Sequence, residues 1–142
     1  GGSPVNNINI FEYVSGQIHV PDDQPTIQAA IDMAAYRDTV LVADGIYYEN
    51  INFMGKAITV ASQFIVDWDE SHIENTIIDG SQPANPELGS VVKFDSGEDT
   101  TSVIQGFTIR GGTGTNYPPD QVVAGARCWR VGWNRWIANI AR

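Results

Sequence analysis

Thr39-Val40-Leu41-Val42-Ala43-Asp44-Gly45-Ile46-Tyr47-Tyr48-Glu49-Asn50-Ile51-Asn52-Phe53 decides the fold. A short run rich in β-branched residues meets an Asp-Gly corner that reads as a tight turn needing positive φ, and a second extended run follows at once. The pattern then repeats along the chain. Met54-Gly55-Lys56 turns into Ala57-Ile58-Thr59-Val60-Ala61, and further short runs stand at Thr76-Ile77-Ile78, Ser90-Val91-Val92-Lys93-Phe94, Ser102-Val103-Ile104 and Gly106-Phe107-Thr108-Ile109. Each is bounded by Gly, Asp, Asn or Ser, and the longest stretches between them are 62–75 and 79–89. Such runs are too short for helices and have the length of solenoid rungs.

Two architectures compete for this pattern. A sandwich joins antiparallel strands by hairpins, whereas a parallel β-helix stacks each strand on its equivalent one coil later. The return of Ile58-Thr59-Val60 about 18 residues after Val40-Leu41-Val42, and of Thr76-Ile77-Ile78 about 18 after that, favours the solenoid. Upstream, Ile18-His19-Val20 is stopped by Pro21, and Asp22-Asp23-Gln24-Pro25-Thr26 signals a helix start in which Asp23 or Thr26 caps. Ile27, Ala30, Ile31 and Ala34 then form an apolar stripe, so a short helix is predicted over about 26–35. Residues 1–17 read as a linker or extended lead-in, and 18–120 as the body.

Charge divides the chain further. It has 142 residues, a net charge of −9 and a pI near 4.4. Residues 1–126 hold all 17 acids against Arg37, Lys56, Lys93 and Arg110, a balance of −13, while Arg127, Arg130, Arg135 and Arg142 give the remainder +4. The acidic body disfavours nucleic acid, which needs a basic stripe. No apolar run is long enough for a transmembrane segment. Cys128 stands alone, so no intrachain disulfide forms. The tail, 121–142, places Trp129, Trp133, Trp136, Ile137 and Ile140 at helical spacing, and three explanations stay open for it: a capping helix, a cationic interfacial helix, or translation in a shifted reading frame.

The run from Pro25-Thr26-Ile27-Gln28-Ala29-Ala30-Ile31-Asp32 through Asp38–Ile51, Lys56–Val60 and Thr76-Ile77-Ile78-Asp79-Gly80, with the later Val103–Gly112, resembles the start of the pectin-lyase-like right-handed parallel β-helix superfamily. It is similar above all to the opening of pectin methylesterases and of related secreted bacterial β-helix proteins. The resemblance covers about 18–114 and implies an all-β solenoid whose first coil is covered by a short amphipathic helix. About three coils fit in this length, so 142 residues reads as a fragment. The resemblance further implies an extracellular or cell-surface location and an association with polysaccharide. The catalytic residues of the resembling enzymes lie on later coils and have no counterparts here, so no catalytic set is assigned. The expected function is a noncatalytic, polysaccharide-contacting or scaffolding piece of an exported β-helix protein. The alternatives are the amino-terminal part of a pectin methylesterase or polysaccharide lyase, and an adhesin stalk.

The residues that could carry chemistry are few. Asp67-Trp68-Asp69-Glu70-Ser71 spaces oxygens like the start of a calcium loop, but position six is His72 where glycine is needed and position twelve is Ile78, so it reads as a solvated loop. Trp68 could stack on a sugar ring or fold back onto the coil. Asp95-Ser96-Gly97-Glu98-Asp99 gathers three carboxylates, with Asp99 opening a turn, and is the better calcium candidate of the two, for an ion held between coils. Glu49 reads as structural, on the same strand face as Tyr47 and opposite Tyr48. His19 and His72 read as isolated surface residues. No cofactor is assigned.

Overall fold

A computed structural model describes residues 16–115 and the strand at 128–131. The fold is mainly β, built on parallel pairing. One sheet stacks β1 (Gln17–Val20), β2 (Thr39–Val42), β5 (Thr59–Ser62) and β9 (Val103–Gln105), all parallel. A second runs through β3 (Gly45–Tyr48), β6 (Thr76–Asp79) and β10 (Phe107–Arg110), also parallel, with β12 (Cys128–Val131) antiparallel on the far side of β10. The third pairs β4 (Ile51–Asn52) with β8 (Val92–Lys93) in parallel, and β7 (Leu88–Gly89) and β11 (Gly114–Thr115) form a small antiparallel pair. The helices are α1 (Ile27–Met33), α2 (Phe64–Asp67) and α3 (Ser71–Asn75).

Strand order follows the chain in a fixed rotation. Residues 39–52 visit the first, second and third sheets in turn, and residues 59–93 visit them again in the same order. Parallel neighbours cannot be joined by a hairpin and need a long crossover. Here the strands of the other sheets serve as that crossover, so the antiparallel pairing of a hairpin-linked sandwich does not describe the main sheets. The spacing differs from the expected 18-residue repeat. Thr59 does pair with Thr39, but Ile77 lies beside Ile46 and Thr108 in the second sheet, not beside Thr59 in the first. The chemistry of the two runs is alike, and the insertion at 63–75 carries the second around a corner.

The core is made of equivalent side chains stacked in register. Val40, Val60 and Ile104 occupy matching positions of β2, β5 and β9, as do Ile78 and Ile109 in the second sheet and Ile51 and Val92 in the third, and all are fully buried. Pairs in register bring like shapes about 4.8 Å apart, where they pack without voids. Just beyond the third sheet Phe53 and Phe94 continue this stacking, their ring centroids 4.5 Å apart and tilted by 51°. Asp79 and Arg110 also pair in register, and the guanidinium Nε donates to the carboxylate at 2.8 Å. Burial pushes the Asp79 carboxyl up, but hydrogen bonds from Ser81 and Arg110 outweigh it and hold the group below the ordinary aspartate value.

One corner demands glycine on two counts. Gly106 joins β9 to β10 at a φ of +87°, and an added Cβ there would collide with Ser62 Oγ and lie 3.2 Å from Phe64 Cβ. At another corner Asn50 does the joining, its amide donating to Gly80 O at 3.0 Å and Ser90 O at 3.1 Å.

The predicted helix is present and shorter than expected by a residue or two at each end. Its stripe of Ile27, Ala30, Ile31 and Ala34 is buried. Thr26 is the N-cap, accepting from Ala29 N at 3.1 Å, whereas Asp23 accepts from His19 N instead. Seven residues make a marginal helix in isolation, and both ends are held from neighbouring strands. Glu49 accepts from Ile27 N at 2.8 Å and Gln28 N at 3.0 Å, so a carboxylate sits on the positive end of the helix. At the other end Lys56 Nζ donates to the carbonyls of Ile31, Asp32 and Ala34 at 2.8–2.9 Å. Gln28 completes the arrangement: its Oε1 accepts from Asn52 N at 2.7 Å and its Nε2 donates to Asn52 O at 3.1 Å. A primary amide thereby takes the place of a neighbouring strand on the free edge of β4, which would otherwise be open to aggregation.

The lead-in expected over 1–17 lies outside the described residues except at its end, where Gln17 begins β1 and Gly16 O accepts from Thr39 N at 2.9 Å. In the tail, 128–131 is extended and not helical: a strand that satisfies the far edge of β10 wins over the local helical spacing. The rest of 121–142 lies outside the described residues.

Candidate functional site

The site begins where α1 ends. The turn after the helix is tied by Ala35 N donating to Asp38 Oδ2 at 2.8 Å and Asp38 N donating to Ala35 O at 3.0 Å. Arg37 is thereby held at a φ of +69°, and its backbone N–H donates to Ala57 O at 2.8 Å. A non-glycine residue in the left-handed region carries strain, of order 1 kcal/mol, that neighbouring bonds must hold in place. The result is a pair of adjacent side chains, Tyr36 and Arg37, projecting beside the first sheet.

These two form one end of a groove of about 500 Å³ whose remaining lining includes Thr59 and Val103 of the sheet and Thr100 and Thr101 of the preceding loop. Tyr36 is 61% exposed. Among the described residues no carboxylate pairs with the Arg37 guanidinium. Thr101 is oriented by Asp99, donating to its carboxylate from Oγ1 at 2.6 Å and from its backbone N–H at 2.9 Å. The hydroxyl bond, then the backbone one, holds Asp99 below the ordinary aspartate value, so it stays ionised and keeps Thr101 fixed. Among the described residues the groove lining carries no carboxylate, histidine or cysteine. It therefore offers a flat ring, a cation with donors in a planar fork, and hydroxyls, which suit binding and provide no acid–base pair.

The residues singled out from the sequence fall elsewhere. Glu49 is structural, as expected, and its partner is the amino end of α1. Tyr47 is half-buried, its hydroxyl donating to Ala43 O at 2.7 Å, and burial followed by the charges of Asp44 and Glu49 pushes its ionisation up. Tyr48 faces solvent, opposite Tyr47, as the strand alternation requires.

The Asp67–Ser71 stretch is not a plain loop: it links the two short helices. Asp67 accepts from Asp69 N and Asp69 from Ser71 N, both at 2.9 Å. Trp68, 60% exposed, caps α2 in the left-handed region, and its ring meets Phe64 edge-on with centroids 5.2 Å apart. In the second acidic cluster Glu98 accepts from Gly55 N and Ser96 N, each at 2.8 Å. Asp67, Asp69, Glu98 and Asp99 are thus engaged by backbone N–H groups and Asp95 by the Ser96 hydroxyl at 3.3 Å, and no three His, Cys, Asp or Glu side chains among the described residues are grouped to hold a metal.

His72 differs from its expected isolation. Its Nδ1 lies 2.7 Å from Asp44 Oδ1 and its Nε2 3.1 Å from Asp67 Oδ2, while Thr76 Oγ1 donates to the same Asp44 oxygen at 3.2 Å. Neither this cluster nor the groove was found by reading motifs. Asp67, five residues before His72, was the one local signal, whereas Asp44 is 28 residues away. In the sequence Arg37 is only one of four bases in an acidic body. Comparison with protein-family models, with curated proteins and with solved structures gives no match for this chain.

Proposed function

We propose that this chain is the helix-capped opening of a right-handed parallel β-helix, at the cell surface or exported, and that it contacts polysaccharide through the groove at Tyr36 and Arg37. The fold part of the reading is supported by the repeated visit to three parallel sheets and by the handedness that parallel crossovers adopt. It is supported too by the unequal ends: α1 covers one, whereas no described strand pairs with the outer side of β9.

The binding part rests on a single observation: among the described residues no carboxylate pairs with Arg37, which lines the groove together with Tyr36 and threonine hydroxyls. A guanidinium fork matches a carboxylate in two parallel hydrogen bonds, and an aromatic ring offers its face to the apolar side of a sugar. The preferred ligand is thus a glycan that bears carboxylates. The negative body does not forbid it, since charges beyond about 8 Å are screened at physiological salt.

Calorimetric titration with a uronic-acid oligosaccharide and a neutral one of the same length tests the reading. The acidic ligand binds more tightly, Arg37→Gln removes that difference, a loss of about tenfold or more, and Tyr36→Ala weakens both. Equal binding of both ligands by the unaltered chain, or an Arg37→Gln variant with undiminished preference, would contradict it.

A further inference from the structure

His72 occupies a position that only one of its protonation states satisfies. It lies on α3, its side chain 20% exposed, and each ring nitrogen faces a carboxylate oxygen: Asp44 at the corner between β2 and β3, and Asp67 at the end of α2. The neutral ring has one N–H and one lone pair, so it can donate to one carboxylate while its lone pair faces the other. The imidazolium donates to both.

We propose that His72 is a pH-operated latch: as imidazolium it ties the α2–Trp68 turn to the corner at Asp44, and on losing its proton it keeps Asp44 and releases Asp67. The shorter contact, 2.7 Å against 3.1 Å, and the support Asp44 receives from Thr76 make Asp44 the side that stays. The charged groups turned toward the ring are acidic: Asp44 from the corner, Asp67 from α2 and Asp69 from the turn between the helices. The hydrogen bond that His72 donates to Asp44 raises its pKa above the usual 6.5, burial opposes this in part, and Asp67 adds to it. Below that value the latch is closed, and it opens as pH rises through the elevated one. What it controls is the seating of two exposed apolar side chains, Val66 and Trp68, on a turn whose inner contact is the buried Phe64.

The test uses the full chain. Imidazole NMR, with His19→Gln to separate the two histidines, gives the midpoint of His72. Hydrogen exchange of 64–69, normalised for the intrinsic pH dependence of exchange, gives the state of the turn. Protection of 64–69 is expected to fall about three- to tenfold across the His72 midpoint, while that of 39–42 stays level. Asp67→Asn, which leaves the Asp44 contact in place, is expected to flatten the pH dependence and lower the midpoint. Protection that is the same on both sides of the midpoint, or an unaltered pH dependence in Asp67→Asn, would overturn the latch.

Discussion

The α1 end and the 63–75 insertion are both short helical segments laid against parallel strands, and both are fastened by charged side chains. They are fastened differently. At α1 the fasteners are a carboxylate, Glu49, and an ammonium, Lys56, and each meets backbone groups that the helix cannot satisfy by itself. At the insertion the fastener is His72, which meets two carboxylates and changes charge near neutrality. The first arrangement closes an exposed end permanently, and the second holds a peripheral turn conditionally.

Substitutions can break that contrast in descending order of effect. Lys56→Met leaves three carbonyls at the end of α1 without their charged donor, and urea unfolding should show a loss of about 2–3 kcal/mol, equal at pH 6 and pH 8. Glu49→Gln keeps an acceptor but removes the charge from the amino end, with an expected loss of about 1–2 kcal/mol that is again level over that interval. Thr26→Ala removes a hydroxyl cap and should cost about 1 kcal/mol.

His72→Gln should have the smallest effect and the only one that depends strongly on pH near neutrality. The folded-state ionisation of His72 is raised, so its contribution is fully present below the unfolded value of 6.5 and lost as pH rises through the folded one. The variant should therefore unfold earlier than the parent at pH 6, by a margin that shrinks as pH rises through the folded-state value. Asp67 and Asp99 act in the opposite sense, because hydrogen bonds hold both below 3.8, so their contributions disappear only in acid. A Lys56→Met variant whose deficit varied with pH between 6 and 8, or a His72→Gln variant whose deficit did not, would erase the distinction between the two regions.

What could be read in the sequence was what is local. The stripe of α1 and its Thr26 cap lie within ten residues of one another, and the β-rich runs carry their own alternation. The pairing of those runs could not be read the same way. Thr76-Ile77-Ile78 has the composition of Ile58-Thr59-Val60, so resemblance suggested one column where the fold makes two, and only the turns made by the 63–75 insertion separate them. The fasteners were hidden for a related reason: Glu49 finds α1 from 22 residues away and His72 finds Asp44 from 28, distances that no motif spans. The groove depended on an arginine that no carboxylate meets among the described residues, which is a property of the assembled surface. At 128–131 the helical spacing of the tail was overridden by an edge that needed a strand.

As the groove rests on the register of Thr59 with Val103, so the latch, on α3 against β6 and β10, rests on the parallel register that brings Ile77 between Ile46 and Thr108. Interstrand nuclear Overhauser effects on isotopically labelled chain test that register most directly. Backbone contacts from Ile77 to the Ile46 and Thr108 strands, in the evenly spaced pattern of parallel pairs and with none to Thr59, are the predicted result. Close α-proton pairs between those strands, the mark of antiparallel neighbours, or a direct pairing of Ile77 with Thr59, would contradict it.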